Sequence, residues 1–118
     1  MRIIIAGSRD FQDYKRLVAT CDQLLESLKV EKEREIVSGT ARGADRLGEA
    51  YAREKGYSIK RFPADWQKWG KMAGPIRNQH MAQYADGAIV FWDGRSRGSR
   101  SLIQALKKEE KRIKLVVI

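Results

Sequence analysis

The sequence predicts an α/β protein in which a parallel sheet lies between two layers of helices. Short runs of β-branched apolar residues alternate with amphipathic helical patterns along the chain. These runs are continuously apolar, which is typical of strands buried on both faces of a parallel sheet. The 118 residues, of which 42% are hydrophobic and 33% charged, suit one domain over residues 1–118 with a globular core.

The first half of the chain contains two strand–helix units. A strand at 2–6 is followed by a helix whose apolar positions, from Tyr14 to Leu28, recur every three or four residues. Asp10 is the expected N-cap of this helix. A second strand at 35–38 then precedes a second helix at 44–55.

The second half repeats the pattern and ends on a strand. A third strand is expected at 57–62, followed by a loop with two tryptophans at 64–73. The later elements are a helix with Pro75 in its first turn, a strand at 88–92, a helix after the loop 95–100, and a strand at 113–118. Right-handed crossovers then give a Rossmann-like, three-layer α/β/α fold with a five-stranded parallel sheet in the order 3-2-1-4-5.

Composition excludes several classes of protein. One cysteine cannot form an internal disulfide, and one cysteine with one histidine cannot build a four-ligand zinc site, so we expect no metal and no required cofactor. Cys21 is expected in the core and His80 on a helix surface. The longest apolar run, 3–6, is far shorter than the roughly 20 residues of a membrane span, and no signal cleavage site follows it. These features predict a cytoplasmic protein with no membrane partner.

The net charge of +9 favours an anionic partner, such as a nucleotide, a nucleic acid or a phosphorylated metabolite. Residues 95–114 carry four Arg and four Lys against two Glu, which is +6 of this total. The alternative for the lysine-rich stretch 107–114 is a solvated helix face.

In such a sheet a ligand binds outside the carboxyl ends of the strands, at the switch point between the first and fourth strands. The loop after the first strand carries Gly7, Ser8 and Arg9. Glycine allows the backbone to approach a ligand, and the serine and arginine can donate to a phosphate. The same Gly-Ser pair is also common in ordinary turns.

The loop after the second strand is rich in small and polar residues, which suits an anion-binding nest of backbone N–H groups. Its predicted ligand-binding residues are Ser38, Gly39, Thr40, Ala41, Arg42 and Gly43. Arg42 can clamp a phosphate, while Asp45 can accept from a ribose hydroxyl, hold Arg42 or act as a base. The alternative is a capping loop in which Asp45 faces the positive end of the helix dipole.

Two further groups of residues flank the third helix. Arg77 and Asn78 are predicted in its first turn, where a cation opposes the helix dipole and a bound anion would compensate it. Trp66 and Trp69 precede the helix and either stack on a nucleobase or cover an edge of the core.

The loop after the fourth strand opens the last helix and is similar to a phosphate cradle with surplus positive charge. It lacks the Gly-Lys-Ser/Thr ending of a P-loop, which argues against an ATPase. A flexible polar loop is the alternative. The predicted ligand-binding residues here are Trp92, Ser96, Gly98 and Ser99.

Five segments in this order resemble the YspA/cpYpsA-related branch of the SLOG superfamily, over about residues 2–118. They are GSRDF (7–11), SGTARGAD (38–45), RFPADW (61–66), AGPIRN (73–78) and FWDGRSRGS (91–99). The resemblance implies a Rossmann-like fold, a nucleotide or nucleotide-derived ligand, and self-association as a homodimer or larger homo-oligomer. The superfamily includes the LOG phosphoribohydrolases, which hydrolyse N-glycosidic bonds, and the DNA-binding DprA/Smf proteins.

The LOG enzymes carry a PGGxGTxxE motif, and the position of its glutamate falls on Leu102. The LOG arginine at the start of the third helix is matched by Arg77. The resemblance therefore implies a kept ligand site, with Arg77 and, as the nearest substitute base, Asp45 as catalytic candidates. Binding of a nucleotide or ADP-ribose-like ligand is the first hypothesis; nucleotide N-glycosidase activity and DprA-like nucleic-acid binding are the alternatives.

Overall fold

The fold alternates strands and helices along the chain, of which the computed structural model describes residues 1–27 and 33–118. The strands are β1 (Arg2–Gly7), β2 (Glu35–Ser38), β3 (Ser58–Arg61), β4 (Gly87–Trp92) and β5 (Arg112–Val117). The helices are α1 (Tyr14–Ser27), α2 (Ala44–Lys55), α3 (Trp66–Trp69), α4 (Ala73–Tyr84) and α5 (Arg97–Lys108). A 3₁₀ turn, Gly70–Met72, joins α3 to α4. Leu28, predicted at the end of the first helix, lies outside the described residues.

The five strands form one parallel sheet in the order β3-β2-β1-β4-β5. The central strand is β1, in which Ile3 aligns with Ile36 of β2, and Ile5 aligns with Ile89 of β4. Helices α1 and α2 cover one face of the sheet, and α4 and α5 cover the other. The predicted Rossmann-like, three-layer architecture and its strand order are confirmed.

Alternate residues of β1 enter two separate cores. Ile3 and Ile5 pack with Leu17 of α1 and Tyr51 of α2, while Ile4 packs on the opposite face against α4 and α5. Successive side chains of a strand point to opposite faces, so a strand covered on both sides must be apolar at every position. This requirement explains the uninterrupted apolar run that begins the sequence.

The two edge strands do not follow the same rule. No residue of β3 or β5 is fully buried, and Leu115 and Val117 of β5 are exposed. The expectation of strands buried on both faces therefore holds for the inner strands and is wrong for the edges, where each strand has a neighbour on one side alone. Lys114 directly precedes Leu115 on β5, and charges on an edge strand discourage edge-to-edge pairing.

Several helix boundaries differ from the predicted ones. Helix α1 begins at Tyr14, and the carboxylate of Asp13 accepts from the backbone N–H of Arg16 at 3.1 Å. The expectation that Asp10 caps this helix is wrong. The predicted loop 64–73 contains α3 and the 3₁₀ turn, because Asp65 caps α3 by accepting from the N–H of Lys68 at 3.0 Å.

The third and fourth predicted helices also begin at earlier residues than expected. The candidate site residues therefore occupy different positions along these helices than predicted. Helix α4 begins at Ala73, which places Arg77 in its second turn instead of its first. Helix α5 begins at Arg97, so Gly98 and Ser99 belong to its first turn instead of a loop. Cys21 is buried and His80 is exposed, as predicted. In the described part of the chain no helix is both long and apolar enough to cross a membrane.

A matched pair of leucine truncations tests this assignment of core and edge. Leu106 of α5 is fully buried, whereas Leu115 of β5 is exposed. We expect Leu106→Ala to lower the free energy of unfolding by about 2–5 kcal/mol, because it leaves a cavity under α5. We expect Leu115→Ala to lower it by less than about 1 kcal/mol. Urea denaturation measures both, and equal losses would contradict the assignment.

Candidate functional site

Two adjoining cavities open at the carboxyl ends of the inner strands. The first, named here the α5 pocket, has a volume of about 340 Å³. It is lined by Ala6, Gly7, Arg9, Ala41, Asp45, Arg77, Asn78, Met81, Ser96, Arg97, Gly98, Ser99 and Leu102. The second, named the Trp66 pocket, has about 310 Å³ and is lined by Arg9, Gly39, Thr40, Ala41, Arg42, Pro63, Ala64, Trp66 and Arg77.

The position of the α5 pocket follows from the topology of the sheet. Strand β1 leads into α1 on one face, while the neighbouring β4 leads into α5 on the other. The two connections therefore diverge and leave a crevice between them, which is the usual ligand position in open α/β sheets. The end of β1 and the first turn of α5 form facing walls of this crevice.

The first turn of α5 and the loop before it are fixed by internal hydrogen bonds. Asp93 accepts from the backbone N–H groups of Arg95 and Ser96, both at 2.8 Å, and this fixes the loop before the helix. The hydroxyl of Ser96 accepts from the N–H of Ser99 at 3.5 Å, and the indole N–H of Trp92 donates to the Ser96 carbonyl at 3.1 Å. Helix N-termini carry N–H groups without intrahelical partners and a partial positive charge.

Ser99 supplies a second, independent feature at this helix end. The residue is 4% exposed and lines the α5 pocket. Within the described residues, its hydroxyl oxygen has no hydrogen-bond partner. Buried hydroxyls in proteins are nearly always hydrogen-bonded, and an unpaired one calls for an explanation.

Asp45 and Arg77 meet around Gly39 at the boundary of the two pockets. Asp45 lies in the first turn of α2, is 6% exposed, and accepts from the N–H of Ala41 at 3.2 Å. Arg77 reaches across from α4, donates from one terminal nitrogen to the Gly39 carbonyl, and donates from Nε to the Asn78 side chain at 2.9 Å. The site thus joins the ends of β1 and β2 to α4.

The pKa of the Asp45 carboxyl lies above the usual value for an aspartate. Burial raises its pKa from 3.8 to about 6, although the N–H groups of Ala41 and Gly7 and the charge of Arg77 act in the opposite direction. Burial also lowers the pKa of the Arg77 guanidinium, against the influence of Asp45. A carboxyl group that titrates near neutrality can exchange protons under physiological conditions.

Glycine is required at position 39 by the space between these two side chains. A Cβ on Gly39 would lie 2.8 Å from both Nη1 of Arg77 and Oδ2 of Asp45. Any side chain there would push the acid and the cation apart. The end of β2 therefore sets their mutual position.

Gly43 allows the loop before α2 to pack closely against the loop after β1. Its φ of +79° lies in the left-handed region, and a Cβ there would collide with the carbonyl oxygens of Ser8 and Arg9. The N–H of Ala44 donates to the Ser8 carbonyl at 3.3 Å. This backbone-to-backbone contact places the two loops at the same edge of the cleft.

A buried hydrogen-bonded chain supports the β2 loop from behind. The hydroxyl of Ser38 donates to Glu49 at 2.6 Å and accepts from the N–H of Thr40 at 3.0 Å. Arg61 donates from Nε to the other oxygen of Glu49 at 2.9 Å. Thr40 has a φ of +67°, a strained value for a residue with a branched side chain. The chain from Arg61 through Glu49 holds this conformation in place.

Most of the predicted ligand-binding residues come together at the two pockets, and four lie beside them. Ser8 is buried and its hydroxyl accepts from the N–H of Asp93 at 3.2 Å, while Ser38 is engaged by Glu49. Gly43 and Trp92 also line neither pocket, and they position the loop before α2 and the start of α5. These four residues build the site from outside the cavities.

Arg42 does not hold Asp45, which was one of the roles open to the pair. Its side chain is exposed, lines the Trp66 pocket and lies 3.5 Å from the carboxylate of Asp10. Leu102, at the position of the LOG glutamate, lines the α5 pocket with an apolar side chain. Among the residues that the structure describes, no carboxylate takes the place of that glutamate in the lining. In residues 1–27 and 33–118, no cluster of three His, Cys, Asp or Glu side chains is arranged to hold a metal ion.

Sequence reasoning missed Glu49, Arg97 and Asp93. Glu49 lies four residues after Asp45 on the buried side of α2, and a second acid at that spacing on an inward face was a usable signal. Arg97 lines the α5 pocket from the first turn of the helix. Asp93 follows β4 directly, where an Asp before a Gly and a helix is a common loop-fixing pattern.

The basic residues at 95–114 do not form one continuous surface. Arg95, Arg97 and Arg100 are exposed at the start of α5, beside the α5 pocket. Lys107 and Lys108 lie in its last turn. The two ends of a 12-residue helix lie about 18 Å apart. The lysines therefore lie near the amino ends of the strands, away from the α5 pocket. The arginine group alone belongs to the site.

The fold and cleft define a Rossmann-like protein with its candidate site at the sheet's switch point. The chain belongs to the YspA, cpYpsA-related SLOG family, whose model matches residues 1–69. It is 34% identical over 114 residues to Gene 61 protein of Mycobacterium phage D29, covering 91% of this chain and 89% of that protein.

A solved structure of DNA processing protein A from Helicobacter pylori, described as having a unique single-stranded DNA binding mode, has a TM-score of 0.67 to this chain. The two are 19% identical. The match covers 98% of this chain and 64% of the other, so this chain spans less than two thirds of that structure. At this identity, the likeness concerns the fold.

The raised pKa of Asp45 gives a test of its burial. Between about pH 4 and pH 6 the folded protein holds the Asp45 proton more tightly than the unfolded chain, so stability falls as pH rises through this window. We expect Asp45→Asn to remove this loss of stability. Its free energy of unfolding should exceed that of the unmodified protein by about 1–3 kcal/mol between pH 4.5 and 7.5. Urea denaturation across that range measures it. The exposed Asp10→Asn is the control, and equal pH profiles for the two variants would contradict the assignment.

Proposed function

We propose that the protein binds a nucleotide or nucleotide-derived ligand, such as an ADP-ribose-like molecule, in the α5 pocket. The observation that carries this proposal is the unpaired, buried hydroxyl of Ser99 in the first turn of α5. A helix N-terminus attracts a phosphate, and a hydroxyl aligned with it adds a donor. Membership of the YspA, cpYpsA-related SLOG family supports the same ligand class.

The charge of the pocket favours an anion. Arg9, Arg77 and Arg97 line it, against one carboxyl group, that of Asp45. Burial raises the pKa of the Asp45 carboxyl to about 6, so the three arginines outnumber one negative charge above that pH. Arginine forms bidentate hydrogen bonds to phosphate oxygens, so these side chains can bind a phosphate group that sits on the α5 turn.

The remaining lining suits a sugar. Asp45 contributes a carboxyl group to the lining, and Met81 and Leu102 supply apolar walls. Asn78 joins α4 to α5, because its side-chain amide donates to the Gly98 carbonyl at 3.2 Å. A volume of about 340 Å³ lies at the lower end of the range of about 300–1,000 Å³ that is usual for small-molecule pockets. A ribose phosphate is the part of a nucleotide that this lining matches.

Ser99→Ala tests the proposal by separating binding from folding. We expect AMP or ADP-ribose to bind about tenfold or more weakly, because a hydrogen bond to a charged phosphate is lost. We expect no loss of stability, because the hydroxyl has no protein partner to lose. Isothermal titration and thermal unfolding measure the two effects, with the exposed Ser58→Ala as control. No nucleotide binding to the unmodified protein below millimolar concentration would reject the proposal.

A second candidate function, hydrolysis of a nucleotide N-glycosidic bond, is favoured by the position and pKa of Asp45. Arg77 would hold the phosphate while the ionised Asp45 takes a proton from the attacking water. The water oxygen would bond to the ribose C1′ as the C1′–N bond breaks. The base would then leave and take up a proton from solvent.

Chromatography of nucleoside monophosphates incubated with the protein tests this candidate. We expect free base and ribose 5-phosphate, a rate that rises with pH through about 6, and loss of the activity in Asp45→Asn. The rise follows because a general base must be unprotonated. Leu102, which replaces the LOG glutamate, stands against the activity. Failure to detect base release from any of the common nucleotides would exclude hydrolysis and leave the binding proposal in place.

A further inference from the structure

We propose that the Trp66 pocket is a nucleobase subsite, in which the base of the bound nucleotide stacks on the indole of Trp66. The inference rests on the proposed function, since it supplies the place of the base for a ligand whose phosphate lies on α5. Five different features of the described chain support it.

The first feature is the exposure of large apolar side chains on one short segment. Trp66 is 55% exposed, Trp69 45% and Met72 58%, and all three lie within α3 and the following 3₁₀ turn. They do not cover a core edge, which was the alternative to stacking. Clustered exposed apolar residues mark binding surfaces more often than chance.

The second feature is the placement of Trp66 relative to the α5 pocket. Trp66 lines a cavity that shares Arg9, Ala41 and Arg77 with the α5 pocket. The two cavities are therefore adjoining parts of one cleft, with the Arg77 guanidinium at their boundary. A ligand that fills the first cavity with a ribose phosphate has the second within reach for its base.

The third feature is that Trp66 is fixed in place without being covered. A Cβ added at Gly74 would lie 3.5 Å from the ring tip of Trp66, so the indole rests against the backbone at the start of α4. Asp65 caps the helix that carries it, and the N–H of Gly70 donates to the Trp66 carbonyl. A ring held in this way loses little side-chain freedom when a ligand stacks on it.

The fourth feature is the difference between the two tryptophans. Lys68 lies over the ring of Trp69 at 4.8 Å, whereas in the described chain no Lys or Arg lies over the ring of Trp66. Trp69 lines neither pocket. Trp66 alone therefore combines an unoccupied π-face with a position in the cleft.

The fifth feature is the chemistry of the surrounding wall. Arg9 and Arg42 contribute guanidinium groups, and Thr40 contributes a hydroxyl at the rim. Planar guanidinium groups stack on bases and donate to their ring nitrogens and carbonyls, while aromatic rings stack on any base. This lining is suited to a base.

Paired probes with and without a base test the subsite. The unmodified protein, Trp66→Ala and Trp69→Ala are titrated with AMP and with ribose 5-phosphate. Loss of one stacking contact corresponds to about 5- to 150-fold in affinity. We expect Trp66→Ala to weaken AMP by that factor and to leave ribose 5-phosphate unchanged, while Trp69→Ala changes neither. Because both side chains are only half buried, we expect both variants to remain folded at the titration temperature, which thermal unfolding checks, and we expect Trp66→Phe to restore part of the AMP affinity.

Three results would overturn the subsite while the proposed function stands. They are an unchanged AMP affinity in Trp66→Ala, an equal loss for AMP and ribose 5-phosphate, and an equal loss in Trp69→Ala. Failure of the unmodified protein to bind any probe would overturn both proposals.

A short single-stranded oligonucleotide, (dA)6, distinguishes the source of the base. Binding at least tenfold tighter than that of AMP, weakened by Trp66→Ala and falling steeply with salt, assigns the subsite to a base of a single strand. Weaker or equal binding assigns it to a free nucleotide. Either outcome supports the subsite, and (dA)6 binding that is insensitive to Trp66→Ala counts against it.

Discussion

The central strand has to bury both of its faces, and the rest of the structure depends on this constraint. Side chains of β1 alternate between two cores, so helices must cover the sheet on both sides. Strands β1 and β4 are neighbours, and the helices that follow them pack on opposite faces of the sheet. The two connecting loops therefore diverge at the carboxyl ends of these strands. The cleft at this point is thus a consequence of how the core is filled.

The cleft concentrates groups that are unfavourable in an empty protein. Asp45 is buried with a raised pKa, the hydroxyl of Ser99 has no partner in the described chain, and Thr40 is held at a positive φ. Such features persist only where the surrounding structure enforces them. Here the buried contact of Ser38 with Glu49 supports the strained loop.

The charge of the molecule acts locally at the site. The net charge of +9 suggests general affinity for anions. However, the arginines at the start of α5 lie near the carboxyl ends of the strands, and the lysines at its end lie near their amino ends. Arg9 and Arg77, which are far apart in the sequence, approach each other in the cleft. The indole of Trp66 lines the adjoining Trp66 pocket together with Arg9 and Arg77.

The order of elements, the parallel sheet and the end of the sheet at which the loops gather were all predictable from the amino-acid sequence, because hydrophobic periodicity and turn residues at strand ends are local properties of the chain. The sequence also identified Asp45 and Arg77 as candidates. Tertiary structure alone decided which loop residues face the cleft. Ser8 and Ser38 bond to Asp93 and Glu49, partners that lie on other elements. It also decided that Trp66 is exposed beside Arg77, since contacts between distant segments depend on packing that no local pattern encodes.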